Sequence, residues 1–204
     1  IYNSTTETWL KIPVRYNTQG VELNRFTPPS DTRAVYGVGV DATDRLYMVT
    51  GVGKPTTNNQ TSPTYATTIK VLRFTKEGIL DTTYGTNGEL IISPSQAGQI
   101  MAVNDFNSFN DRLNVAADGR VAVTFTQAPD TASVAFADTN TAVLEISNTG
   151  TIASRANLNF STTTSTYEQM MGVDMGRAGQ IYVLRIDNKI QKVSNGVVDT
   201  AFGS

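Results

Sequence analysis

The feature that most constrains this chain is a two-part unit that recurs along it. The first part is an apolar strand, a tight polar turn and a second apolar strand. It occurs as Val38-Gly39-Val40-Asp41-Ala42-Thr43-Asp44-Arg45-Leu46-Tyr47-Met48-Val49, and again as Leu113-Asn114-Val115-Ala116-Ala117-Asp118-Gly119-Arg120-Val121-Ala122-Val123. A third copy runs from Gly172-Val173-Asp174 to Gly179-Gln180-Ile181-Tyr182-Val183. Apolar and small or polar residues alternate on both sides of each turn, which is the period of a strand and not of a helix. Asp118-Gly119 is a strong hairpin signal, because Gly takes positive φ without steric cost; Asp44-Arg45 and Ala178-Gly179 stand in its place in the other copies.

The second part follows after an insert of variable length. Its clearest copies are Val71-Leu72-Arg73-Phe74 through Gly78 to Asp81-Thr82-Thr83-Tyr84-Gly85, and Ile190-Gln191-Lys192-Val193 through Gly196 to Asp199-Thr200-Ala201-Phe202-Gly203. A degenerate copy spans Val143 to Ile152, and another opens the chain from Val14 to Leu23. The turn glycines Gly20, Gly78, Gly150 and Gly196 are unevenly spaced because the inserts differ in length. Repeat folds tolerate such inserts on one face.

These residues carry a resemblance. Arg73-Phe74 with Gly78, Leu80-Asp81-Thr82, Tyr84-Gly85-Thr86 and Gly88 resembles the delta-60 repeat of bacterial exported proteins. Gly179 to Gly203 is similar both to that repeat and to an NHL-type propeller blade. The resemblance implies an all-β, propeller-like array of four-stranded blades and no definite activity. The expected arrangement is one domain over 1–204, with a partial unit at 8–26 and units at 34–92, 111–158 and 170–204. That makes about three and a half blades, where closed propellers have four to eight. An open array leaves apolar end faces and unpaired edges. Sequence beyond this chain could complete the ring, several copies could associate, or Trp9-Leu10-Lys11-Ile12 could add a strand to the last blade; all three stay open.

Composition narrows function by exclusion. Only 17% of residues are charged and the net charge is -2, so nothing drives the chain toward nucleic acid, whose binders need a basic surface. Thr, Asn, Ser and Gly supply the polar surface instead, the β-branched Thr fitting exposed strand faces without a charged partner. With no cysteine there is no disulfide, thiolate nucleophile or ordinary zinc site, which fits a bacterial exported protein. With no histidine there is no Ser-His-Asp triad and no imidazole base or ligand. No apolar run reaches the roughly 20 residues of a membrane-spanning helix. The chain opens at Ile1 without a signal-peptide pattern, and so reads as a processed or excised piece of something larger.

The Asp-Thr-x-aromatic-Gly motif at Asp81 and Asp199 could be taken for paired carboxylates. Repetition once per unit favours a scaffold role: the Asp caps a turn, the aromatic fills the gap between units and the Gly supplies a left-handed residue. Asp105, Asn107 and Asp111 form the densest oxygen cluster and a weak calcium candidate, without the central Gly and final Glu of an EF-hand. Gly51-Val52-Gly53-Lys54 fails as a phosphate loop, because Met48 and Pro55 occupy the positions of its first Gly and its Ser or Thr. Residues 53–68, 128–141 and 161–166 read as polar surface loops. Amides and aromatics suit sugar recognition, and Asn58, Asn59, Gln60, Tyr65 and Tyr167 are the candidate ligand-binding residues. The expectation is therefore a non-enzymatic extracellular or cell-envelope module without cofactor, an adhesin or fibre-tip domain recognising a glycan or protein, as a homo-oligomer or part of a larger chain. The alternatives are a carbohydrate-active propeller enzyme with paired carboxylates, or an architectural spacer.

Overall fold

The structure, a computed structural model, describes residues 2–3, 8–9, 12–52, 64–66, 68–92, 99–102, 113–128, 140–158, 170–177, 179–185 and 189–202. Among these there is no helix, and every pairing between strands is antiparallel. Two short hairpins come first: β1 (Tyr2–Asn3) with β2 (Thr8–Trp9), and β3 (Val14–Tyr16) with β4 (Glu22–Arg25). The first full sheet holds β5 (Thr32–Val40), β6 (Leu46–Val52), β8 (Thr68–Phe74) and β9 (Glu89–Ile92) in that order, with β7 (Thr64–Ala66) leaving it to pair elsewhere. The middle sheet contains β10 (Gln99–Ala102), β11 (Leu113–Val115), β12 (Val121–Ala128), β13 (Asn140–Ile146) and β14 (Ile152–Leu158). Its order is β14-β13-β12-β10-β7, with β11 pairing the other end of β12. The last sheet is β15 (Met170–Met175), β16 (Gln180–Arg185), β17 (Ile190–Ser194) and β18 (Val197–Val198).

Period-2 alternation gives each sheet two apolar faces, and three clusters show where they go. Leu46 and Met48 of β6, with Leu72 and Phe74 of β8, receive Phe26 from the leading hairpin, its ring edge-on to Phe74 at 5.9 Å. The intervening residues Tyr47, Val49, Ile69 and Val71 turn the other way, against Val121, Val123, Leu144 and Ile146 of the middle sheet. That sheet's opposite face, with Ala122, Val143 and Ala156, meets Ile181, Val183 and Val193 of the last sheet. The core is thus three layers of contact between successive sheets, and no sheet could hide both faces alone.

The tight turns follow the repeat. Residues 17–21, 75–79 and 147–151 are three-residue loops closed by the same hydrogen bonds, such as Thr75 N–H to the Ile79 carbonyl and Gly78 N–H to the Thr75 carbonyl. The last loop residue takes positive φ: +78° at Gly20, +82° at Gly78 and +81° at Gly150. In the first-part turns that position is Asp44 (φ 63°), Gly119 (φ 83°) and Gly179 (φ 77°). Asp is one of the few non-Gly residues that tolerates this conformation, which explains how Asp44-Arg45 replaces a glycine turn. Asn195 (φ 51°) and Gly196 (φ 78°), like Asn87 (φ 54°) and Gly88 (φ 91°), form two-residue hairpin loops, where both residues need positive φ.

Two details differ from the expectations. The stretch 53–68 is not loop throughout: Thr64–Ala66 is a strand, paired with β10 in the middle sheet (Tyr65 opposite Met101), because short backbone segments satisfy their hydrogen bonds at any open sheet edge. Trp9 pairs with Tyr2 in the first hairpin and not with the last sheet, since a local partner closes a shorter loop.

Candidate functional site

In each copy of the second part a charged residue immediately precedes the last apolar residue of the strand: Arg15, Arg73, Glu145 and Lys192. Arg73 is 3% exposed and clasps its own unit and the next one. Its Nε donates to Asp81 Oδ2 at 2.8 Å, Nη2 to Thr83 Oγ1 at 2.8 Å and Nη1 to the Asn148 carbonyl in the following turn at 2.6 Å. The guanidinium also lies 4.8 Å from the Tyr84 ring centre, within cation–π range. Arg15 repeats the forward reach, donating to the Lys76 carbonyl in the turn of the next sheet at 3.3 Å and pairing with Asp44 at 2.8 Å. Lys76 and Asn148 are the same position of their turns.

Glu145 performs the clasp with opposite charge. It accepts the Gly179 N–H of the last sheet at 3.1 Å and pairs with Arg120 at 3.0 Å. Arg120 in turn holds Asp118 and donates to the Gly176 carbonyl at 3.4 Å. An acceptor can stand where Arg73 stands because the neighbour there presents an N–H in place of a carbonyl. Among the described residues Lys192 reaches only its own unit, pairing with Asp199 at 3.1 Å with the Phe202 ring 6.0 Å away.

These carboxyls are held ionised. Burial pushes Asp41 and Asp81 up, but hydrogen bonds from Thr43 and Arg45, and from Thr83 and Arg73, outweigh it and leave both below the usual carboxylate range. The Arg120 hydrogen bond does the same for Asp118, and the Lys192 hydrogen bond for Asp199. Each acid is bound to a cation and to nearby turn N–H groups, the structural role the repeated motif implies, and none stands ready to take up a proton near neutrality.

The tight turns and the starts of four connections lie at opposite ends of the strands. Turn contacts link the first and middle sheets on one side: Ala42 N–H donates to the Ala117 carbonyl at 3.2 Å and Gly85 N–H to the Thr149 carbonyl at 2.9 Å. The long connections 53–63, 93–98, 129–139 and 159–169 begin at the other strand ends, after Val52, Ile92, Ala128 and Leu158. Asn58, Asn59, Gln60 and Tyr167 belong to these connections and, with the calcium candidates Asp105, Asn107 and Asp111, lie outside the described residues. Tyr65 is placed by its backbone on β7 alone. Among the described residues no group of three or more acidic side chains could hold a metal ion.

The charged series was not among the sequence candidates. Aligning the first three copies on Gly20, Gly78 and Gly150 puts Arg15, Arg73 and Glu145 in one column, and a charge at a strand position flanked by Val14 and Tyr16, or Leu72 and Phe74, calls for a buried partner. No protein-family model matches the chain, and no curated protein is similar to it.

Proposed function

We propose that the chain is a non-enzymatic binding module of a bacterial surface or extracellular fibre, a β-propeller-like array whose long polar connections recognise a glycan or protein. One observation carries this reading: hydrogen-bonded tight turns lock one side of the stacked sheets, and three long polar connections, after Val52, Ala128 and Leu158, leave from the other. Binding residues concentrate on loops held by a rigid scaffold. The ion-paired state of Asp41, Asp81, Asp118 and Asp199 supports binding over carboxylate catalysis. The stacking of sheets through both faces supports the propeller-like reading.

The test is a glycan array probed with the intact chain, followed by titration of any hit against a variant carrying Ala at Asn58, Asn59 and Gln60. The expected result is binding that the triple substitution weakens at least tenfold, with the melting temperature unchanged. Unaltered binding would move the site off these residues. Hydrolysis of a glycoside substrate by the intact chain would replace the reading with an enzymatic one.

A further inference from the structure

We propose that the two ends of the stacked array bind each other, so that the chain associates head to tail with a second copy of itself. Within the chain the same contact is made three times. The turn glycine of each later unit sits on the outer segment of the unit before it. A Cβ at Gly78 would lie 2.8 Å from the Arg25 carbonyl, one at Gly150 would lie 2.5 Å from Gly85 N and 3.2 Å from Tyr84, and one at Gly196 would lie 2.9 Å from the Arg155 carbonyl. Gly20 is the equivalent glycine of the leading hairpin, and a Cβ there meets nothing within 4 Å.

The surface that receives such a turn shows the complementary vacancy at the other end. Phe26, Tyr84 and Ala156 are the equivalent residues of the receiving segments, and they are 3%, 0% and 4% exposed. Phe202 holds that position in the last sheet and is 41% exposed, edge-on to Tyr182 at 5.7 Å. The flanking face carries Leu184 and Ile190, both exposed, while the alternate residues Ile181, Val183 and Val193 are buried against the middle sheet. At the head, Tyr16 is 57% exposed, whereas its counterparts Phe74, Ile146 and Val193 are buried in every later unit. Lys192 also lacks the forward contact that Arg15 and Arg73 make to a turn carbonyl of the next unit; the matching carbonyl at the head is that of Thr18.

Among the described residues the head therefore presents a turn with no receiving segment, and the tail a receiving segment with no turn. A second copy fills both vacancies with the contact already made three times inside the chain. The interface is heterologous, so it closes into a ring if the rotation permits and propagates as a filament otherwise. The proposal does not depend on which ligand the connections recognise.

Light scattering coupled to size exclusion tests it with the whole chain and two single variants, Tyr16→Lys at the head and Phe202→Lys at the tail. Wild type is expected at twice the 22.0 kDa chain mass or more. Each variant alone is expected at the chain mass, because each retains only one of the two partner surfaces. An equimolar mixture is expected to give a one-to-one dimer and nothing larger, since the intact tail of Y16K meets the intact head of F202K. Circular dichroism melts show that both variants are folded; if either melts early, Tyr16→Ser and Phe202→Ser are read in the same way. A monomeric wild type, association of either variant by itself, or a mixture that stays at the chain mass would each overturn the proposal.

Discussion

Two copies of one motif, Asp81-Thr82-Thr83-Tyr84 and Asp199-Thr200-Ala201-Phe202, build the same local turn and end in different surroundings. In both, the Asp N–H donates to the carbonyl of the clasping cation (Arg73 or Lys192) and the carboxylate takes the N–H two residues on. At the first copy the following unit covers the motif: Arg73 reaches Asn148, Gly85 N–H reaches Thr149, and Tyr84 is fully buried. The second copy has the same internal wiring and an open outer face. The motif therefore encodes a turn by itself and becomes core only when another unit lies on it.

The sharpest way to break this comparison is through the turn glycines. Gly150→Ala forces a left-handed alanine and drives its Cβ into the backbone of Gly85, where nothing flexible can yield. We expect a loss of about 3 kcal/mol or more, from positive φ and overpacking together. Gly20→Ala takes on the same φ with open space around it, and should lose only about 1 kcal/mol. Urea unfolding of both variants measures the difference; equal losses would mean that the contact between units contributes nothing.

The clasping cations come next. Arg73→Ala leaves Asp81 partly buried without its ion pair, and we expect a loss of about 3 kcal/mol. Lys192→Ala removes a half-buried pair that touches no second unit among the described residues, and should lower the melting temperature far less than Arg73→Ala. Acid reads the same contrast. The folded-state pKa values of Asp41 and Asp81 lie below the unfolded value near 4, so the unfolded chain takes up protons first. Their contribution is complete at neutral pH and is lost as the pH falls from about 4 through their depressed values. Denaturant midpoints between pH 6 and 2 should fall less steeply in Asp81→Asn than in wild type.

Much of the scaffold was legible because its signals are local. Asp118-Gly119, the turn glycines and the period-2 alternation each act within a few residues, so they specify turns and strands wherever they occur. What could not be read was which sheet a segment joins. Thr64–Ala66 has no apolar pattern of its own and is a strand only because β10 offers an edge. The charged series was visible as an oddity of register, but its partners are far off in sequence: Arg73 meets Asn148 75 residues away, and Glu145 meets Gly179 34 residues away. The candidate ligand residues Asn58, Asn59, Gln60 and Tyr167 rest on composition, which says what a loop could bind and nothing of how its side chains converge.

The smallest effect separates two tyrosines that pack edge-to-face 5.8 Å apart, one from each part of the same unit. Tyr47 and Tyr84 are both fully buried, but their hydroxyls differ. Tyr47 donates to Asp41 Oδ2 at 3.2 Å, on a carboxylate that also takes Arg45 at 2.7 Å. The Tyr84 hydroxyl is buried without a hydrogen-bond partner, and its pKa is driven upward by that burial. Tyr47→Phe should therefore lose about 1 kcal/mol, because it strips a donor from a buried carboxylate. Tyr84→Phe removes a group that lost its water on folding and gained nothing, so the variant should be as stable as wild type or slightly more so. Thermal melts of the two variants side by side check this. A loss at Tyr84→Phe as large as at Tyr47→Phe would show that the Tyr84 hydroxyl has a partner in solution, which would most directly be a water held between the first two sheets.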